Sequence, residues 1–112
     1  IFSDSIDTLD LKDVGPLFEN NVIFPERINT EFVRFINNTT LRIRVWERGN
    51  GETLACGSGA CAAVIAAVEK GLCKGTDITV KLPGGDMIVN YTDDCVTLTG
   101  SARHVFDGII EY

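Results

Sequence analysis

GNGETLACGSGACAAVIAAVEKG, residues 49–71, joins a glycine-rich approach to an uninterrupted apolar run, with Cys56 at the junction. From Ala60 to Val68 no side chain is charged or carries an amide, and Gly71 supplies a stop. A helix that is apolar all round is normally buried, so the rest of the chain has to cover it.

Working outward, the segment LRIRVWER just upstream alternates with a period of two. Leu41, Ile43 and Val45 fall on one face, and Arg42, Arg44 and Trp46 on the other, which predicts a half-buried strand. The alternation carries Glu47 inward and Arg48 to the opposite side, where the strand enters the glycine-rich loop. An inward carboxylate needs a partner or a chemical task. Thr30 to Asn37, rich in β-favouring residues, predicts a second strand, and NNTT after it a hairpin turn. Residues 9–20 have helical spacing interrupted by Gly15 and Pro16, which predicts a short surface helix from near Asp13. The stretch NNVIFPERIN reads as loop or extended chain, because Pro25 holds Phe24 out of the helical region.

Beyond Gly71, turn signals separate DITVKL, DMIVNY, CVTLTG and a terminal HVFDGIIEY, each read as a strand. About six strands around one apolar helix make an α+β domain, a curled, mostly antiparallel sheet wrapped around a central buried helix.

The 112 residues, 45% hydrophobic and 23% charged, suit one globular domain with one core. The formal charge of −6 is spread along the chain, so there is no basic patch for nucleic acid. No apolar run is long enough to span a bilayer and the first residues do not read as a signal peptide, so a cytoplasmic, non-membrane protein is expected. The opening Ile-Phe reads like the interior of a strand, as in a fragment. Cys56, Cys61, Cys73 and Cys95 could form two disulfides, but a core this apolar does not require them and reduced thiols are favoured. They contain no CxxC pair, so no metal site is expected.

Gly57, Ser58, Gly59 and Ala62 fit a loose GxGxxA pattern. A dinucleotide site would place the first glycine directly after a strand, whereas a loop intervenes here. Ser58 lacks a GxSxG setting and no GKS or GKT is present, which disfavours a serine hydrolase and a phosphate loop. What remains is Cys56. Helix starts present unpaired N–H groups and partial positive charge, which favour a thiolate and bind a carboxylate. The small Gly57, Ser58 and Gly59 leave both the thiol and those N–H groups accessible, so Cys56 is expected to be the most reactive thiol. The plainer reading, a buried structural cysteine, is kept for Cys61, Cys73 and Cys95. A cysteine beside a carboxylate site can act as nucleophile or as base on the adjacent carbon. With His104 the only histidine and far away in sequence, base chemistry is the better fit.

ERGNGETLACGSGACAA closely resembles the second cysteine motif of diaminopimelate epimerase, the cofactor-independent enzyme that interconverts LL- and meso-diaminopimelate in lysine biosynthesis. RINTEF resembles the substrate segment of that family, and LTGSARHVFDGIIEY is similar to its closing strand. The resemblance implies that Cys56 is one of two cysteines facing each other across the substrate's α carbon. Gly57 and Ser58 then bind the reacting carboxylate, Arg48 the distal carboxylate and Asn29 the distal amino-acid group. Glu47 matches a substrate-contacting acid that tunes the cysteine pair. Residues 1–112 are then the C-terminal half of a two-domain enzyme, with the N-terminal domain and its cysteine absent. The resemblance implies no cofactor, diaminopimelate and the N-terminal domain as partners, and leaves open whether the enzyme is a homodimer. Two alternatives stand beside it: a proline racemase or hydroxyproline epimerase, which binds no distal carboxylate, and a non-catalytic amino-acid-binding module.

Overall fold

In the computed structural model, which describes residues 1–112, the segment with the cleanest alternation becomes the strand on which the sheet is built. β1 (Thr30–Asn37) and β2 (Thr40–Glu47) pair antiparallel. Leu41, Ile43 and Val45 are buried on one face of β2. The far edge of β2 is shared between two neighbours. Its first half, Thr40 to Arg42, runs parallel to β4 (Asp77–Leu82), and its second half, Val45 to Glu47, pairs antiparallel with β3 (Gly51–Thr53). β5 (Gly85–Tyr91) and β6 (Val96–Thr99) extend the sheet beyond β4, both antiparallel. The strand order is β1-β2-β4-β5-β6 with β3 beside β2. β3 lies within the glycine-rich stretch that reads as loop. Gly49 and Gly51, at φ +80 and +79, make the tight reversal that lets three residues pair.

The apolar run forms α2 (Gly57–Glu69), with Cys56 as its N-cap. Gly71 at φ +71 ends it, its N–H reaching Val68 O at 2.8 Å and that of Leu72 reaching Ala67 O at 2.9 Å, a Schellman closure. Ala60, Ala63, Val64 and Ala67 pack against Val33, Leu41, Ile43, Ile78, Val80 and Val89. Each fully buried Val, Leu or Ile side chain there contributes about 1.5–3 kcal/mol. That seam fixes where the helix start lies. No helix is long and apolar enough to cross a membrane.

The opposite face of the β1–β2 pair is covered by α1 (Leu11–Glu19), with Ile6, Leu11 and Phe32 in a second cluster against Val14 and Trp46. α1 starts two residues earlier than expected, because Asp10 caps it by accepting from Lys12 N at 2.9 Å. Gly15 and Pro16 do not interrupt it. Pro16 forgoes one helical bond, to the carbonyl of exposed Lys12, and Gly15 gives the Trp46 indole a place to lie. A Cβ on Gly15 would stand 2.2 Å from Trp46 Cδ2.

The α+β architecture with its mostly antiparallel sheet and central apolar helix follows the expectation, with two differences. The sheet is open, and α2 rests on one face of it with Ala62 exposed and Cys61, Ile65 and Ala66 half-buried. The terminal HVFDGIIEY is not a strand. Residues 100–112 have no regular structure, and Val105, Phe106, Ile109 and Ile110 are exposed. Apolar patterning alone does not make a strand; it needs an edge to pair with and a face to bury, and this segment has neither here.

Candidate active site

Because β2 divides its far edge between β4 and β3, the chain leaves β3 at Thr53 and swings onto the α2 face through Leu54 and Ala55. Gly84 N donates to Leu54 O at 2.8 Å and pins that crossing. Cys56 arrives at the start of α2 in extended conformation, φ −141 and ψ 110, and no side chain caps the helix. The N–H groups of the first turn, from Gly57 to Gly59, therefore lack a side-chain partner. Cys56 Sγ lies 3.5 Å from Ser58 Oγ and 3.9 Å from Asn29 Nδ2.

Asn29 precedes β1 and has two roles. Its amide nitrogen faces the thiol, and its Oδ1 accepts from Arg48 N at 2.8 Å. Glu47, the last residue of β2, points to the α2 face as the alternation requires, and its carboxylate accepts from Thr53 Oγ1 at 2.5 Å. Arg48 lies past the end of β2, so strand alternation no longer sets its direction. Its guanidinium Nη1 donates to Glu26 O at 2.9 Å. All six candidate residues, Asn29, Glu47, Arg48, Cys56, Gly57 and Ser58, gather around the point where β1, β2 and α2 begin or end.

Sequence reading missed a second carboxylate here. Glu31 of β1, two residues after Asn29, lies so close to α2 that a Cβ on Gly59 would come within 2.3 Å of its Oε1. Burial pushes the Glu31 carboxyl above the usual range, and the charge of Glu47 acts in the same direction. The signal was the alternation within β1, which puts Glu31 on the same face as Val33, the face that packs against α2.

Cys56 is also less accessible than expected. It is 9% exposed, and Leu98 of β6 lies against the small residues beside it, its Cδ2 2.8 Å from where a Cβ on Gly57 would stand. Cys95 is the exposed thiol, and Cys73 is buried with its thiol pushed up by that burial. All four cysteines are free. A recess of about 210 Å³ reaches Asn29 and Glu31, and another of about 110 Å³ reaches Ala55; Cys56 lines neither and sits beside both through these neighbours. No three His, Cys, Asp or Glu side chains converge as a metal-ligand set. Chemically the site offers a thiol, N–H donors suited to a carboxylate, an amide and two carboxylates.

A model of the family described as diaminopimelate epimerase matches residues 1–105. Curated relatives of that name include proteins from Bacillus cytotoxicus, 45% identical over 100% of this chain, and Synechococcus, 52% identical over 93%. A third, from Acetivibrio thermocellus, is 49% identical over 96% of the chain. The chain spans 40%, 37% and 39% of these relatives' own lengths. Among solved structures, a Bacillus anthracis phenazine biosynthesis protein of the PhzF family is similar at TM-score 0.58 and 21% identity, covering 80% of this chain and 28% of that one. That likeness concerns the fold alone. The chain belongs to the diaminopimelate epimerase family.

Proposed function

We propose that residues 1–112 are the C-terminal domain of a cofactor-independent diaminopimelate epimerase, with Cys56 as one of its two proton-transferring cysteines. The observation that carries this reading is the placement of Cys56 Sγ at an uncapped helix start, with Asn29 and Ser58 beside it. The substrate's reacting carboxylate is received by the N–H groups of Gly57 and Ser58, where partial positive charge also stabilises the negative charge that develops on deprotonation. In one direction the Cys56 thiolate takes the α proton and leaves the C–H electron pair on carbon. A thiol of the companion domain then returns a proton to the opposite face, and the reverse direction exchanges the two roles. Nothing is oxidised or reduced. Glu47 contacts the substrate and sets the charge felt by the cysteine pair.

Arg48 and Asn29 bind the far end of the substrate, Arg48 through its carboxylate-matching fork. An arginine fork suited to a second carboxylate favours a two-ended substrate over the proline-like substrate of a racemase. The companion domain precedes Ile1 and covers the half-exposed side of α2 and the apolar residues 100–112. The test is deuterium uptake at the α carbon in heavy water. The full-length protein should convert LL- to meso-diaminopimelate with uptake of solvent deuterium, and residues 1–112 alone should invert nothing. Inversion by the 112 residues alone, or none by the full-length protein, overturns the proposal.

A further inference from the structure

Glu19, the last residue of α1, is 6% exposed and accepts hydrogen bonds from three separate segments. Trp46 Nε1 in β2 donates to its Oε2 at 2.6 Å, while Gly49 N in the turn after β2 and Arg27 Nη1 in the loop before β1 donate to its Oε1 at 3.0 and 2.9 Å. Its backbone oxygen also accepts from Ile28 N at 3.3 Å. The indole bond, then the Gly49 bond, hold the carboxyl below the usual range, so it is ionised at neutral pH.

The segments gathered by Glu19 are those that carry the proposed distal clamp. Gly49 directly follows Arg48, and Arg27 and Ile28 directly precede Asn29. Arg48 N in turn donates to Asn29 Oδ1 at 2.8 Å, and Arg48 Nη1 to Glu26 O at 2.9 Å. Arg27 has φ +61, the one non-glycine residue in the left-handed region. Such a conformation persists only where neighbouring contacts hold it, and its ion pair with Glu19 is such a contact. The backbone at Cys56 is anchored by other elements, β3 and the α2 seam, and meets the clamp through the Asn29 amide, 3.9 Å from Sγ.

We infer that Glu19 is a positioning residue that sets the relative placement of Arg48 and Asn29, and through them the affinity for the end of the substrate remote from Cys56. It touches no substrate itself. A carboxylate is required because three N–H donors converge on it. An amide would turn its own N–H toward one of them, leaving a buried donor unpaired.

This inference rests on the proposed epimerase reading, and the test separates the two. In the full-length enzyme, Glu19→Gln should raise KM for diaminopimelate about tenfold, the scale of one unpaired buried donor, and change kcat by less than about threefold. Adding Trp46→Phe removes the donor that the new amide meets and should recover part of the lost KM, a rescue that general loosening of the domain would not give. Arg27→Met changes a side chain that is 51% exposed, leaves the fold standing, and should raise KM about threefold by loss of one charged hydrogen bond at a partly solvated site. If Glu19→Gln does not fold, Arg27→Met decides. KM within twofold of the parent in the variants that fold, or a fall in kcat matching the rise in KM, overturns the inference. No turnover of diaminopimelate by the parent enzyme overturns the functional reading, and the inference with it.

Discussion

Gly15→Ala sets two rules against each other. In a helix interior, alanine in place of glycine gains about 1 kcal/mol from backbone entropy, so α1 considered alone should be stabilised. The packing reverses that sign. The added Cβ would stand 2.2, 2.5 and 2.6 Å from Cδ2, Cγ and Cε3 of Trp46. Restoring ordinary contact requires the ring to retreat by about 1.2 Å, well beyond the give of a close-packed interior. The ring cannot do so freely, since its Nε1 is tied to Glu19 at 2.6 Å and its face packs with Ile6, Leu11 and Phe32. Overpacking against a fixed ring costs up to about 3 kcal/mol, which leaves a net loss of about 2 kcal/mol after the helix gain. Equilibrium urea denaturation followed by far-UV circular dichroism measures it. Repeating the substitution in a Trp46→Leu background, where the ring is gone, should turn the loss into a gain. A Gly15→Ala chain more stable than its parent, with Trp46 intact, refutes the reasoning.

Further outcomes follow from the site and its supports. Arg48→Lys in the full-length enzyme should raise KM about tenfold or more, because a point charge replaces a fork matched to the distal carboxylate at a difference of about 1.5–3 kcal/mol; unchanged turnover at low substrate excludes that role. Alkylation with peptide mapping should label exposed Cys95 before buried Cys73, whose thiol is pushed up, and bound substrate should shield Cys56 while leaving Cys95 unaffected. Labelling of Cys73 ahead of Cys95 would contradict its burial. The Glu19 carboxyl is lowered by folding, so its stabilising share is present above the unfolded glutamate value of about 4.3 and is lost as pH falls through the lower folded value. The stability difference between the parent and Glu19→Gln should therefore be flat above about pH 5 and shrink in acid; a difference that grows on acidification contradicts the assigned direction.

Local pattern and tertiary partnership divide what the sequence made legible. LRIRVWER carries a strong period of two and Ala60 to Val68 an unbroken apolar run, so β2 and α2 were readable, as were the β1–β2 hairpin and the stop at Gly71. Glu47 was readable as an inward carboxylate, and Thr53 is the partner that argument demanded. β3 was not readable, because three residues carry no period and the strand exists only through its pairing with β2. Gly15-Pro16 reads locally as a helix break, and only the indole from a distant strand reveals its packing role. Glu19 reads as an ordinary polar helix end for the same reason, since its donors lie 8, 27 and 30 residues away. The tail from residue 100 carries apolar patterning without a surface in this chain to receive it.

The most direct test of Cys56 as one base of a pair is Cys56→Ala in the full-length enzyme, with inversion and α-proton exchange followed separately by NMR in heavy water from each diaminopimelate stereoisomer. Loss of a positioned acid–base group should slow inversion by about 10²–10⁴-fold. Exchange without inversion should survive from at most one stereoisomer, the one whose α proton faces the remaining base. Inversion within tenfold of the parent rate, or exchange without inversion from both stereoisomers, would contradict the assignment of Cys56 to one face of the substrate.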